Sequence, residues 1–249
     1  MIGAQVFGER GERDFRWRGG SVSRIEGLSD AVFALALTLI VVSLEVPTSY
    51  VQLVELFVQV PVFAACFTLL MTLWFAHYRL HRRYGLEDRA TLAFNALLLF
   101  LVLIYVYPLR FMASFLYNGL ILRRTDGAFE GLRAMTMQDA RQLMMIYSAG
   151  VVLIYGVFAA LYARAWGLRL VLELDSAERV ITKGALHSHL LSAAIGAVSL
   201  ALAAARTEWV SAAGYVYFAM APAHGLHGWL TGRAVERYRG KVPGAPFSQ

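Results

Sequence analysis

Apolar residues run in six long blocks along the chain, divided by short polar or basic segments. A hydrocarbon core about 30 Å thick is crossed by about 20 helical residues, and each block is of that order. The pattern predicts spans over about 29–47, 52–78, 91–116, 140–163, 185–205 and 209–231. Pro47 closes the first block, and Pro61 lies inside the second, where packed neighbours can accommodate a kink. Residues 117–136, YNGLILRRTDGAFEGLRAMT, are amphipathic enough for an outer surface helix, and residues 167–183, GLRLVLELDSAERVITK, read as an inner interfacial segment. The first block's pattern does not recur. The expected fold is therefore all-α: one polytopic six-span unit over 1–249, with a basic N-tail 1–23 and a C-tail 233–249.

Composition and charge sharpen this reading. Of 249 residues, 58% are hydrophobic and 16% charged, against about 25% charged in soluble domains. The net charge of +6 sits in tails and loops. With the N-terminus inside, the N-tail together with Arg24, 79–90, 164–184 and the C-tail hold 17 of the 23 Lys and Arg, which orients both termini toward the cytoplasm by the positive-inside rule. Arg123, Arg124 and Arg133 fall on the opposite side. Basic residues do not alternate with aromatics as in a nucleic-acid platform, so no nucleic-acid partner is expected. The N-tail has no apolar core and no small-residue cleavage site follows the first block, which reads as a retained span. Cys66 is the only cysteine, so intrachain disulfides and cysteine zinc sites are excluded.

The first block, RIEGLSDAVFALALTLIVVSLEVP, carries the most chemistry. Leu35, Thr38, Val42 and Glu45 are spaced by three, four and three, which puts them on one helical stripe. Such a stripe suits a helix facing copies of itself about an axis. Thr38 would then give a ring of hydroxyls, Leu35 and Val42 apolar rings on either side, and Glu45 negative charge at the outer mouth. A plainer role for Thr38 is a hydroxyl bonded back to the preceding turn. Ser29 and Asp30 are equally good helix caps. Arg24 lies about 240° around the helix from Asp30, so the two cannot pair along one face. Trp74, His77 and Asn95 lie at the same inner level and could partner them.

All six histidines, at 77, 81, 187, 189, 224 and 227, fall near the inner boundary in this topology. The pairs His77/His81 and His224/His227 have ligand spacing, but no acid or cysteine completes a set, so no metal is expected. The small residues Gly228 and Gly232 frame a possible helix contact at a span end.

The pattern R-x4-S-D-x-V-F-A-x-A-x-T-L, from Arg24 to Leu39, resembles the opening of the transmembrane protein 175 family of potassium channels. Trp74 and His77 in LWFAHYRL, and Asn95 in FNALLLFL, resemble that family's second and third spans. The likeness covers roughly the first 110 residues; Leu28 stands where the family usually has Phe. It implies a prokaryotic-type member in a cell membrane, assembled as a homotetramer, with the first span lining a pore that lacks a carbonyl filter. Leu35 then corresponds to the apolar gate and Thr38 to the threonine ring, while Arg24, Ser29, Asp30, Trp74 and His77 correspond to a network that holds the first helix in register.

The expected function is thus a leak-type, potassium-permeable cation channel without a cofactor, potassium being the permeant ion. Two other readings stand beside it: a proton channel or proton-coupled transporter, and a non-conducting scaffold. Ionisable residues confined to span ends argue against a continuous proton relay. No paired carboxylates lie within a span and no nucleophile has an evident base, so the chain does not read as an enzyme.

Overall fold

The computed structural model describes residues 14–20, 22–42, 46–122 and 135–239. Among the described residues the fold is all-helical, and five helices are long and apolar enough to cross a membrane. Helix α1 is Arg24–Val42; α2, Tyr50–Val58; α3, Val60–Tyr84; α4, Arg89–Leu116; α5, Met137–Gly167; α6, Ser176–Ala205. A sixth path follows, built from a 3₁₀ turn at Thr207–Trp209, α7 at Val210–Tyr215, a second 3₁₀ turn at Val216–Ala219 and α8 at Met220–Arg239.

Local chemistry explains most boundaries. The Ser23 hydroxyl accepts from the Glu26 amide at 3.2 Å, so the turn opens at Ser23, and Ser29 and Asp30 lie inside α1 rather than capping it. The second block is two helices, not one kinked span. Pro61 sits in the first turn of α3, where its missing N–H costs nothing. At the joint, the Gln59 amide group donates to Asn118 Oδ1 at 2.8 Å and Asn118 Nδ2 donates back at 3.1 Å. This pair ties the joint to the π turn Tyr117–Ile121 that ends α4; the rest of the expected outer surface helix, 123–134, lies outside the described residues. Gly85 closes α3 in the left-handed region, at φ 57°, which glycine adopts without strain.

Helix α6 begins earlier than the hydropathy implies. Asp175 and Glu178 form a capping box, and the helix starts at Ser176, so it takes in 176–183 of the 167–183 segment expected to lie at the interface, after turns over 168–173. The sixth path is segmented at Val216–Ala219 because Pro222 has no N–H for the carbonyl one turn earlier, and its ring crowds that carbonyl.

Helix α1 packs on α3 and α4, and α5 packs between α4 and α6. Phe33, Ala36 and Ile40 of α1 join Leu70 and Leu80 of α3, Leu98 and Val102 of α4, and Phe158 and Leu161 of α5 in one core. Large apolar residues such as Leu92, Phe100 and Tyr107 remain exposed on the outside of α4. Apolar surface on that scale suits a bilayer rather than water.

Candidate pore face and its polar support

Helix α1 has two faces of nearly equal hydropathy and opposite environment. Ile25, Ser29, Phe33, Ala36 and Ile40 are buried. Arg24, Leu28, Ala31, Leu35, Thr38 and Val42, separated by four, three, four, three and four, are exposed. Phe33 is 3% exposed, whereas Leu35 is 50% and Val42 70% exposed. Thus three of the four stripe residues, Leu35, Thr38 and Val42, share a surface that the protomer leaves uncovered. The fourth, Glu45, lies outside the described residues.

The Thr38 hydroxyl donates to the Ala34 carbonyl at 2.9 Å. This is the plain back-bond expected of a threonine in a spanning helix. It is also compatible with ion contact: the proton is spent on the helix, and the oxygen lone pairs remain available to a cation.

Behind this face, polar groups fix the helix against its neighbours. Ser29 donates to the Ile25 carbonyl at 2.8 Å and accepts from Asn95 Nδ2 of α4 at 3.1 Å. Asn95 Oδ1 lies 2.8 Å from His77 Nε2 of α3, and since the oxygen can only accept, that nitrogen carries the proton. All three residues are buried. His81 continues the polar path: its Nδ1 donates to the His77 carbonyl at 3.1 Å, and the two rings are 4.1 Å apart. A separate clamp lies closer to the surface, where Trp74 Nε1 donates to Asp30 Oδ1 at 2.8 Å.

The six residues expected to form one polar network therefore divide. Ser29, Asn95 and His77 form a buried relay across three helices, and Asp30 and Trp74 form a pair. Arg24 does not join them: it is exposed and has no hydrogen-bond or ion-pair partner among the described residues. Its place on the uncovered stripe explains this, because a residue on that face turns away from α3 and α4.

The histidines near the other helix ends are held by ordinary hydrogen bonds. His224 meets Ser188 and Ser192, and His227 donates to the Gly184 carbonyl at 2.8 Å. Among the described residues, no group of three His, Cys, Asp or Glu side chains could hold a metal.

One support went unread in the sequence. Residues 14–20 form an arm that runs beside the ends of α3 and α6 before α1 begins. Phe15 is buried edge-on against Tyr84, with ring centroids 5.4 Å apart. The Glu178 carboxylate is fully buried and accepts from the Arg16 amide at 2.9 Å and from Arg18 Nη2 at 2.7 Å. Arg18 and Gly19 amides both reach the Arg82 carbonyl at 3.1 Å. A Cβ on Gly19 would stand 2.7 Å from the His81 carbonyl, so only glycine fits this approach. The Asp-x-x-Glu capping signature at Asp175 and Glu178 was the available clue.

Comparison with known proteins points to one family. Residues 24–108 match the family model described as "Endosomal/lysosomal potassium channel TMEM175". A protein of Marivirga tractuosa named "Potassium channel" is 36% identical over 234 residues, 90% of this chain and 93% of that protein. The crystal structure of the potassium channel MtTMEM175 T38A variant, bound to a nanobody–MBP fusion, superposes with a TM-score of 0.79 at 33% identity, over 89% of this chain and 98% of that one. A TMEM175 homolog from Chamaesiphon minutus shares the fold, with a TM-score of 0.50 at 22% identity over 79% of this chain and 96% of that one.

Proposed function

The chain belongs to the TMEM175 family, an integral membrane family of channels rather than enzymes, and from that premise we propose that it is a leak-type, potassium-permeable channel whose pore is lined by α1 from four copies. Potassium is the permeant ion and no cofactor takes part. Leu35 and Val42 form apolar constrictions, Thr38 a ring of hydroxyl oxygens between them, and Glu45 a negative outer mouth. The observation that carries this reading is the uncovered stripe on α1, which bears Leu35, Thr38 and Val42.

The physical account follows from those side chains. A ring of Leu35 makes a narrow apolar neck that stops ions by dewetting when it narrows. Potassium sheds water at lower cost than sodium, and Thr38 oxygens replace part of what is shed. Glu45 disfavours anions. The Ser29–Asn95–His77 relay and the Asp30–Trp74 clamp set the rotation of α1. A slip of one residue would turn Leu35 about 100° away from the axis. Arg24, on the uncovered face, is positioned to meet a neighbouring copy. Both termini lie in the cytoplasm of a prokaryotic cell, in line with the distribution of Lys and Arg.

The test is ion flux from liposomes containing the purified protein, with potassium and sodium gradients run in parallel. Leu35→Ala should raise the leak, and Thr38→Ala should lower discrimination between the two ions. Parental flux and discrimination in both variants would refute the assigned stripe.

A further inference from the structure

The arm that precedes α1 is joined to the Asp30–Trp74 clamp by an unbroken run of contacts. Trp17 meets Tyr78 of α3 edge-on, with ring centroids 6.2 Å apart. Tyr78 stacks on Trp74 at 5.6 Å, and Trp74 Nε1 donates to Asp30 Oδ1 of α1 at 2.8 Å. Arg82 closes the same assembly. Its guanidinium lies over the Tyr78 ring, 5.5 Å from the centroid, and its Nη1 donates to the Gly19 and Gly20 carbonyls at 3.3 Å. The Trp17 indole N–H is buried without a hydrogen-bond partner among the described residues, so ring packing is what Trp17 supplies. Three residues separate Gly20 from Arg24, where α1 begins.

The Asp30–Trp74 bond is exposed, and water competes for such a bond. It directs α1 only if the indole is itself held. Tyr78 stacks on that indole and is in turn flanked by Trp17 and Arg82. Edge-on and stacked aromatic pairs have preferred geometries, so each ring limits the tilt of the next. The short link after Gly20 passes the position of the arm to the first turn of α1 instead of absorbing it. We propose that the arm aligns α1: Trp17 is a positioning residue that steadies the Asp30–Trp74 clamp through Tyr78, and the Gly19–Arg82 joint fixes the height at which α1 starts. Its effect on ions rests on the reading of α1 as the pore lining, whereas its hold on α1 is measured without any flux.

Two measurements on the purified full-length protein test this: potassium and sodium flux from liposomes, and amide hydrogen exchange over residues 26–33 in detergent. Trp17→Ala should lower potassium–sodium discrimination about fivefold and speed exchange in that stretch. Trp17→Phe keeps a ring against Tyr78 and should restore most of both. In an Asp30→Ala background, Trp17→Ala should add nothing, because the two act along one route. Insertion of Gly-Ser after Gly20, where a Cβ meets nothing within 4 Å, leaves the contacts of the arm in place; it should also lower discrimination and speed exchange. The same insertion before Asp14 should do neither. If the parent passes no ions, the pore reading fails, and faster exchange in Trp17→Ala and the Gly20 insertion still supports the alignment. Additive effects of Trp17→Ala and Asp30→Ala would overturn it. So would parental exchange in the Gly20 insertion, or equal changes from both insertions.

Discussion

Replacing Glu178 by Ala tests the arm that precedes α1. In the parent, the fully buried carboxylate accepts from the Arg16 and Asp175 amides at 2.9 and 3.0 Å, and from Arg18 Nη2 at 2.7 Å. Truncation leaves the Arg18 guanidinium, whose side chain is 18% exposed, facing an empty site. Breaking one partner of a buried pair costs about 3–5 kcal/mol, and losing a cap adds about 1 kcal/mol. The Arg16 side chain, half-exposed and 3.4 Å away, contributes little. These terms share partners and do not add in full, and Arg18 can turn partly to water. A loss of about 3 kcal/mol is therefore expected. If the arm unlatches alone, the loss appears as faster tryptic cleavage after Arg16 and Arg18. If the bundle loosens with it, the loss appears as a lower unfolding temperature in detergent. Glu178→Gln should fall between Ala and the parent. Unchanged proteolysis together with an unchanged unfolding temperature in Glu178→Ala would refute the view that this carboxylate fastens the arm.

Three further outcomes follow from named contacts. Phe33→Ala should cost about 3–5 kcal/mol in thermal or denaturant unfolding, because the ring is 3% exposed in the core, whereas Leu35→Ala, two residues on, should leave protomer stability nearly unchanged and alter flux. Asn95→Leu should cost about 2–3 kcal/mol by stranding the Ser29 and His77 groups it joins, and it should also reduce potassium–sodium discrimination, measured as flux, by freeing the rotation of α1. The Asp88 carboxyl, which caps α4, is held below the usual carboxylate range first by the Thr91 hydroxyl and then by the Arg164 guanidinium. Its folded value lies below its unfolded one, so its contribution is present above about pH 4 and is lost as pH falls through the folded value; unfolding temperature scanned from pH 6 to 3 should drop less in Asp88→Asn than in the parent.

What could be read from the sequence follows from what distinguishes one environment from another. Apolar runs locate spanning helices because every backbone group must be satisfied inside the bilayer, and α4 and α5 fall close to their expected limits. Hydropathy cannot orient those helices, since lipid is as apolar as a packed core. Phe33 and Leu35 look alike in sequence and differ sharply in burial. Only the polar residues break that symmetry: Ser29 faces Asn95 because a buried hydroxyl needs a partner, and this turns the Leu35 face outward. The arm could not be read in this way. Arg16 and Arg18 meet Glu178 from about 160 residues away, and their charges had a sufficient explanation in membrane orientation.

The same reasoning identifies what sets α1 in place. The core contacts of α1 are apolar and tolerate rotation of a smooth helix, because Phe33, Ala36 and Ile40 would find apolar neighbours in several registers. Hydrogen bonds do not tolerate it. Ser29 reaches Asn95 and Asp30 reaches Trp74 on two different neighbours, α4 and α3, and adjacent residues on a helix diverge by about 100°. Two directional bonds so separated admit one rotation of α1. That rotation leaves Leu28, Ala31, Leu35, Thr38 and Val42 uncovered. The polar pair at the start of the helix thus determines which apolar residues, more than a turn further on, the protomer leaves exposed.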